Sequence, residues 1–151
     1  MRTNGRGMKR CAGIVALAMM AGPICWSADT KDVKSRDGGC QVSVPADWTV
    51  GELGGSAESA DKKVSLAVSS PKMIDSFAEL KKTSQSVYTS SKVTKSTASD
   101  FVMEGESITG KPDVYRAIPV GPSKFCIVEV IYESGGPEAA RAVVQTLKVA
   151  K

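Results

Sequence analysis

The sequence contains no histidine among its 151 residues. Histidine is the side chain most often used as a general base near neutral pH, so its absence excludes Ser-His-Asp and Cys-His catalytic arrangements. It also excludes histidine-containing zinc sites, and the few distant cysteines cannot replace them. We therefore expect a non-catalytic protein with no bound metal and no cofactor.

The sequence also lacks an apolar run of about 20 residues, the length that crosses a membrane as a helix. Residues 11–21 form an apolar run of about eleven residues, preceded by four basic residues and followed by small ones. This order is typical of a secretory signal peptide, here over residues 1–27. Signal-peptide cleavage requires small side chains at two positions before the cut. Cleavage after Ser27 places Cys25 and Ser27 there, whereas cleavage after Ala28 places the bulky Trp26 at the first of the two. Acylation of Cys25, as in a lipoprotein, is an alternative that the residues before it match poorly.

Loss of the signal peptide removes the basic character of the chain. Its four basic residues account for the whole excess of 20 basic over 16 acidic residues, so the mature chain is neutral. No surplus of positive charge is left to neutralise phosphates, and we expect no nucleic-acid binding. We expect the mature chain in the periplasm or outside the cell, without stable membrane insertion.

The mature chain keeps two of the four cysteines, Cys40 and Cys126. Two cysteines in an exported domain of this size are expected to pair, and the disulfide would stabilise the fold by about 4–5 kcal/mol. Two unpaired buried thiols are the alternative. A redox site is not expected, because such sites use a close C-x-x-C pair and none is present.

Residues 28–39 are polar and charged, and they predict a flexible N-terminal tail before a single domain over 40–151. Alternation of apolar and polar residues predicts strands, and residues 51–63 between two of them predict a polar loop. The last predicted strand is apolar on both faces, which indicates a central strand covered on both sides. The predicted strands cover residues 40–44, 48–50, 64–68, 92–97, 101–108, 113–120 and 124–132.

Helical spacing of apolar residues predicts a long amphipathic helix over about 71–89, with Ser70 as its N-cap. A C-terminal helix follows Gly135-Gly136-Pro137, with an apolar stripe at Ala140, Val143, Val144 and Leu147. The fold class predicted is α+β: an αβα sandwich with a central, mainly antiparallel sheet, a long helix after the early strands and a C-terminal helix.

Three short motifs resemble functional patterns and lack their essential parts. Ser-x-x-Lys occurs at Ser59 and Ser69, but the S-D-N and K-T-G elements of the penicillin-binding pattern are missing. GESITGK at 105–111 resembles a phosphate-binding loop, but Pro112 stands where Ser or Thr must bind magnesium. We predict a hairpin turn there.

The carboxylates predict structural roles. Glu104 and Glu106 share one face of a predicted strand, where exposed acids are common. Glu129 interrupts the apolar last strand, and a buried carboxylate needs a partner or a raised pKa. We predict a structural salt bridge, with Arg116 on the preceding strand as the partner, or a position at the rim of the sheet.

Recognition of a partner would use aromatic and loop residues. Three aromatic residues combine an apolar ring with a polar atom: Trp48, Tyr115 and Tyr132. Such residues are favoured at protein interfaces and equally at the edges of hydrophobic cores. The loop over 51–63 is a candidate for insertion into a partner. The candidate partner contacts are Trp48, Glu52, Leu53, Tyr115 and Arg116.

The order of elements resembles the PsbP-like superfamily, which includes DcrB-type bacterial envelope proteins. The resemblance rests on VSVPADW at 42–48, the long helix that follows, YRAIPV before FCIVEVIY at 115–132, and VVQTLKV at 143–149. It implies an αβα sandwich around an antiparallel sheet, with members that act as binding, assembly or chaperone-like modules. It implies no catalytic residues.

Two functions follow as expectations. The first is an exported, non-catalytic binding or assembly module of the bacterial cell envelope that contacts another exported protein. The second is a periplasmic inhibitor or immunity protein that blocks a secreted hydrolase or toxin. A hydrolase that uses Ser, Lys or carboxylates is the least favoured reading.

Overall fold

A computed structural model describes residues 29–133 and 137–151. The predicted signal peptide over 1–27 and the glycines that precede Pro137 lie outside the described residues. Within them the elements are β1 (Thr30–Lys34), β2 (Cys40–Pro45), β3 (Thr49–Val50), β4 (Ser56–Glu58), β5 (Val64–Ser69), α1 (Phe77–Ser86), β6 (Tyr88–Ser96), β7 (Phe101–Ser107), β8 (Pro112–Gly121), β9 (Lys124–Tyr132), α2 (Glu138–Gln145) and β10 (Lys148–Val149).

Seven strands form an antiparallel sheet in the order β3-β4-β5-β9-β8-β7-β6. β9 lies inside this sheet between β5 and β8. It buries Phe125 on one face and Val128 and Val130 on the other. The prediction of a mainly antiparallel sheet with this strand covered on both faces is therefore confirmed.

A second, three-stranded sheet has the order β1-β2-β10. Val33 of β1 pairs with Val42 of β2, and both side chains are fully buried. On the outer face, Asp32 accepts hydrogen bonds from Gln41 Nε2 and Ser43 Oγ. The prediction of a flexible tail over 28–39 is wrong for β1, because one buried valine and these polar cross-strand contacts hold the segment in the sheet.

The seven-stranded sheet has a core on each face. Alternate residues of β8 point to opposite sides, so Val114 joins one core and Tyr115 the other. The small sheet and α2 cover the first core, with Ala140, Val143, Val144 and Leu147 of the predicted stripe buried in it or beside it. α1 covers the second core through Leu80. This layered α+β arrangement confirms the predicted fold class.

The first helix is shorter than predicted. It begins at Phe77 rather than near residue 71, because the Ser76 side chain accepts a hydrogen bond from Glu79 N and caps the helix there. Met73 falls within the predicted helix span of about 71–89, but it precedes the helix and is 96% exposed. The chain leaves α1 directly into β6 at Tyr88.

The predicted loop over 51–63 contains a short strand. β4 pairs with β5 through Ala57 and Leu66, both buried. The polar residues around Ala57 conceal this strand in the sequence. No helix within the described residues is long and apolar enough to cross a membrane.

Candidate binding groove beside the disulfide

Cys40 and Cys126 form a disulfide between the first residue of β2 and the central strand β9. Their Cα atoms are 5.5 Å apart, and both side chains are buried. The bond joins the small sheet to the large one across 86 residues of sequence. The predicted pairing is confirmed, and the alternative of two free thiols is excluded.

The turn between β1 and β2, residues 35–39, is fixed by its own hydrogen bonds. Ser35 Oγ donates to Asp37 Oδ1 at 2.5 Å, and Gly39 N donates to the same oxygen at 3.1 Å. Ser35 Oγ in turn accepts from Cys40 N at 3.0 Å. The Ser35 hydroxyl, followed by the Gly39 amide, lowers the pKa of Asp37, so this carboxyl is charged at neutral pH.

A groove runs along this turn, and we name it the corner groove. It consists of two adjoining cavities of about 480 and 690 Å³ that share Asp37, Ser70 and Lys72. The first is lined by residues 35–37, 54–56, 67–70 and Lys72. The second is lined by Asp37, Gly39, residues 70–72, Val120, Ser123, Lys124, Val149 and Ala150. Five separate chain segments thus meet beside the disulfide.

The corner groove carries an excess of positive charge. Arg36, Lys72 and Lys124 line it and are exposed, and Asp37 is the acid among its lining residues. Lys72 contributes to the lowered pKa of Asp37 without lying within ion-pair distance of it. In the described part of the chain, none of the three cations forms a salt bridge. The groove is therefore suited to an anionic group.

The rim of the corner groove is apolar in several places. Val120 and Val149 line it and are 40% and 45% exposed. Met73 follows the lining residue Lys72, and Leu53 precedes the lining residue Gly54; these two side chains are 96% and 76% exposed. Exposed apolar side chains beside polar ones are typical of surfaces that bind other proteins.

The predicted partner contacts fall into two groups. Glu52 and Leu53 are exposed next to the corner groove. Trp48 and Tyr115 are each only 6% exposed and belong to the two cores, and Ser84 Oγ donates to the Tyr115 hydroxyl at 2.9 Å. Because a buried ring offers little surface to a partner, we remove Trp48 and Tyr115 from the candidate contacts.

Arg116 also has a structural role. Its guanidinium donates to both carboxylate oxygens of Asp100 and to the carbonyls of Val144 and Gln145, at the end of α2. These four hydrogen bonds give Arg116 a structural role, and its contact with a partner stays a prediction.

The predicted salt bridge between Glu129 and Arg116 is wrong. β8 and β9 pair Tyr115 with Glu129, so Glu129 and Arg116 lie on opposite faces of the sheet. Glu129 Oε1 instead accepts a hydrogen bond from the Tyr88 hydroxyl at 3.2 Å. Glu104, which was predicted to share a strand face with Glu106, forms a two-point ion pair with Arg141.

Two of the three short motifs have structural roles. Ser59 Oγ donates to Asp61 and accepts from Val64 N within a tight turn. Residues 107–111 form the predicted turn between β7 and β8, closed by a hydrogen bond from Ser107 N to the Lys111 carbonyl. No group of three or more potential metal-ligating side chains occurs in residues 29–133 and 137–151.

Comparison with known proteins identifies a structural likeness only. No family model matches the chain, and no curated protein matches it in sequence. Among solved structures, the solution structure of cyanobacterial PsbP (CyanoP) from Synechocystis sp. PCC 6803 is similar, with a TM-score of 0.53 and 10% identity. The match covers 88% of this chain and 98% of the cyanobacterial one. At this identity the likeness concerns the fold, and the chain has a PsbP-like fold.

Proposed function

We propose that this chain is an exported, non-catalytic binding module whose corner groove holds a segment of another exported protein. The carrying observation is that three cations without salt-bridge partners, in the described residues, meet an apolar rim in one groove. Charge complementarity favours a segment in which acidic side chains stand beside apolar ones.

Two features support export to the periplasm or beyond. The N-terminal sequence has the order of a signal peptide, and the disulfide suits an oxidising compartment. Together with the PsbP-like fold, they support a place among envelope proteins of the DcrB type. The absence of histidine from the sequence supports a role without catalysis.

An inhibitor or immunity protein is the second candidate function. The observation that favours it is the exposed Leu53 side chain, at the tip of the short turn between β3 and β4. In this function the turn would enter the active site of a secreted hydrolase or toxin, and the rest of the corner groove would hold the same enzyme.

The binding proposal can be tested with a defined probe. A capped peptide of alternating Glu and Leu is titrated into the ¹⁵N-labelled mature chain, and the same peptide with Lys for Glu is the probe control. We expect shifted amide signals at residues that line the corner groove, with the acidic peptide only. Added salt should weaken the binding, because exposed charges are screened.

Matched variants locate the charge effect. Lys72→Gln with Lys124→Gln should weaken the acidic peptide about tenfold, since two exposed charges at about 0.7 kcal/mol each amount to that factor. Lys82→Gln with Lys92→Gln removes two exposed lysines of α1 and β6 outside the groove and should change little. Equal effects of the two pairs, or no binding of the acidic peptide, would contradict the proposal.

Photo-cross-linking in the native envelope separates the two functions. A photo-reactive residue at Val149 lies in the groove, and one at Thr89, in exposed β6, is the comparison position. A protein captured only from Val149 supports the binding module. If that protein is a hydrolase that loses activity on binding, and Leu53→Ser restores the activity, the inhibitor function is correct.

A further inference from the structure

Asp113 of β8 is a completely buried carboxyl group. Neither of its side-chain oxygens accepts a hydrogen bond from any donor in the described residues, and neither is reached by solvent. A buried carboxylate without a hydrogen bond or a cation is strongly unfavourable. The charge state of this group therefore needs an explanation.

The side chains around Asp113 supply no positive charge. It pairs with Ile131 of β9 and with Gly105 of β7, which has no side chain. Of the cations of β8 and the preceding turn, Arg116 lies on the opposite face with Asp100, and Lys111 pairs with Glu133. From α1, the hydroxyl of Ser84 bonds to Tyr115.

The titratable groups that act on Asp113 are acidic or neutral. Glu129 of β9 is its diagonal neighbour on the same face of the sheet, and such pairs are within reach of long side chains. The Tyr88 phenol of β6 also interacts with Asp113, whose charge adds to burial in raising the pKa of Tyr88. The same charge contributes more weakly, beside burial, to the raised pKa of Tyr132. Burial, followed by the nearby carboxylates, raises the pKa of Tyr88, so this phenol stays protonated.

The Tyr88 hydroxyl has a single proton to donate, and in the geometry of the described residues neither Asp113 oxygen accepts it. The hydroxyl donates to Glu129 Oε1 at 3.2 Å. A proton on Asp113 would turn it into a donor toward Glu129. Such a hydrogen bond gives one of the two buried Asp113 oxygens a partner and avoids two adjacent negative charges.

We propose that Asp113 and Glu129 hold one proton between them and form a proton-binding site beneath Tyr88, on the α1 face of the sheet. The site is independent of the corner groove and of the proposed binding function. Burial, with the hydrogen bond and charge of Glu129, raises the pKa of Asp113 to about 7, against the opposing effect of Tyr88. The proton is thus bound below neutral pH and released above it.

Release of the proton acts on the junction between α1 and β6. Tyr88 is the first residue of β6, two positions after α1 ends, and its ring packs edge-on against Tyr115 at 6.5 Å. A second buried negative charge lacks solvation, and it gains water if the contacts between α1 and the start of β6 open. We expect the amide protection of residues 84–90 to fall as the pH rises through 7.

The proton can be observed directly in the mature chain with its disulfide intact. The side-chain carboxyl ¹³C signal of Asp113 is followed from pH 4 to 9. A titration midpoint above 5.5 supports the shared proton, and a midpoint below 5.5 overturns it. Glu129→Gln removes the neighbouring charge and supplies an amide donor, so it should lower the midpoint by at least one pH unit. An unchanged midpoint in this variant overturns the pairing.

Unfolding equilibria give an independent readout. Because the folded pKa lies above the unfolded one, the folded state binds more protons and stability falls as pH rises between them. The unfolding constant of the wild type, divided by that of Asp113→Asn, should rise about tenfold per pH unit between pH 5 and 6.5 and level off above 8. Asp47 is exposed, so Asp47→Asn is the control, and its unfolding constant should equal that of the wild type at all these pH values.

A constant ratio from pH 5 to 8.5 overturns the proposal. If Asp113→Asn does not fold, the carboxyl titrations of the wild type and of Glu129→Gln decide the question alone. A purely structural role for Asp113 would leave both midpoints near the ordinary range of an aspartate.

Discussion

Arg116 holds Asp100 at two points, with Nε 2.8 Å from Oδ1 and one terminal nitrogen 3.2 Å from Oδ2. The other terminal nitrogen donates to the carbonyls of Val144 and Gln145. The last carbonyls of a helix have no partner within the helix, so Arg116 satisfies the end of α2 while it holds Asp100. One side chain thereby joins β8, the turn before β7 and the C-terminal helix.

Arg116→Lys should lower the free energy of unfolding by about 2 kcal/mol, because a lysine cannot reproduce this geometry of four hydrogen bonds. Arg141→Lys is the matched control, since Arg141 also forms a two-point pair, with Glu104, on a more exposed surface. We expect a loss below about 1 kcal/mol there. Urea denaturation at pH 7 measures both, and equal losses would show that the contacts to α2 contribute nothing.

Asp100 also predicts how the protein responds to acid. Its burial alone would raise its pKa, but hydrogen bonds from Arg116 and Lys95 outweigh this and hold the pKa below the ordinary value. The unfolded state therefore takes up the proton first, and the stabilisation is present above about pH 4 and is lost as the pH falls through the folded pKa. Asp100→Asn should be less stable than the wild type at pH 6, with a difference that shrinks toward pH 2.5. A difference that is constant with pH would contradict this assignment.

The disulfide between Cys40 and Cys126 should contribute about 4–5 kcal/mol in the chain-entropy account, given its sequence separation of 86 residues. Cys40→Ala with Cys126→Ala should lose about this much stability in urea denaturation. Treatment with a reductant under denaturing conditions should produce the same loss in the wild type and none in the double variant. A reductant-insensitive wild type would contradict the pairing.

The sequence predicts those elements that bury many apolar residues in one pattern. β9 is apolar on both faces, and α2 buries Ala140, Val143 and Val144 at helical spacing. The structure contains both elements where these patterns predict them. The disulfide was predictable for a different reason, because only two cysteines lie outside the predicted signal peptide.

Elements with few apolar residues were missed or misplaced. β1 buries a single valine, Val33, and its other contacts depend on β2, which lies later in the sequence. The start of α1 was misplaced because Ser70, followed by Pro71, also resembles a helix cap. The Ser-x-x-Glu spacing of Ser76 and Glu79 is the local pattern that could have located the true start.

The corner groove and the Asp113 site depend on strand register and on distant segments. Arg36, Lys72 and Lys124 belong to three segments, distant in sequence, that meet only in the folded chain. The partners of Asp113 and Glu129 follow from the pairing of β8 with β9, where a shift of one residue would exchange the two faces. A sequence pattern shows that Glu129 is unusual, but not which group faces it.

Gly105 offers a final test of the sheet. A Cβ atom at this position of β7 would stand 2.1 Å from the carbonyl oxygen of Ser90, across the irregular pairing of β6 with β7. Because the obstacle is backbone, Gly105→Ala must push the two strands apart, and we expect a loss of about 2–3 kcal/mol. Gly121→Ala in β8 is the matched control, since its Cβ would meet only the Lys124 side chain at 4.0 Å, and it should change stability by less than about 0.5 kcal/mol. Urea denaturation compares the two, and a Gly105→Ala variant as stable as Gly121→Ala would show that β6 does not pass over Gly105 as closely as described.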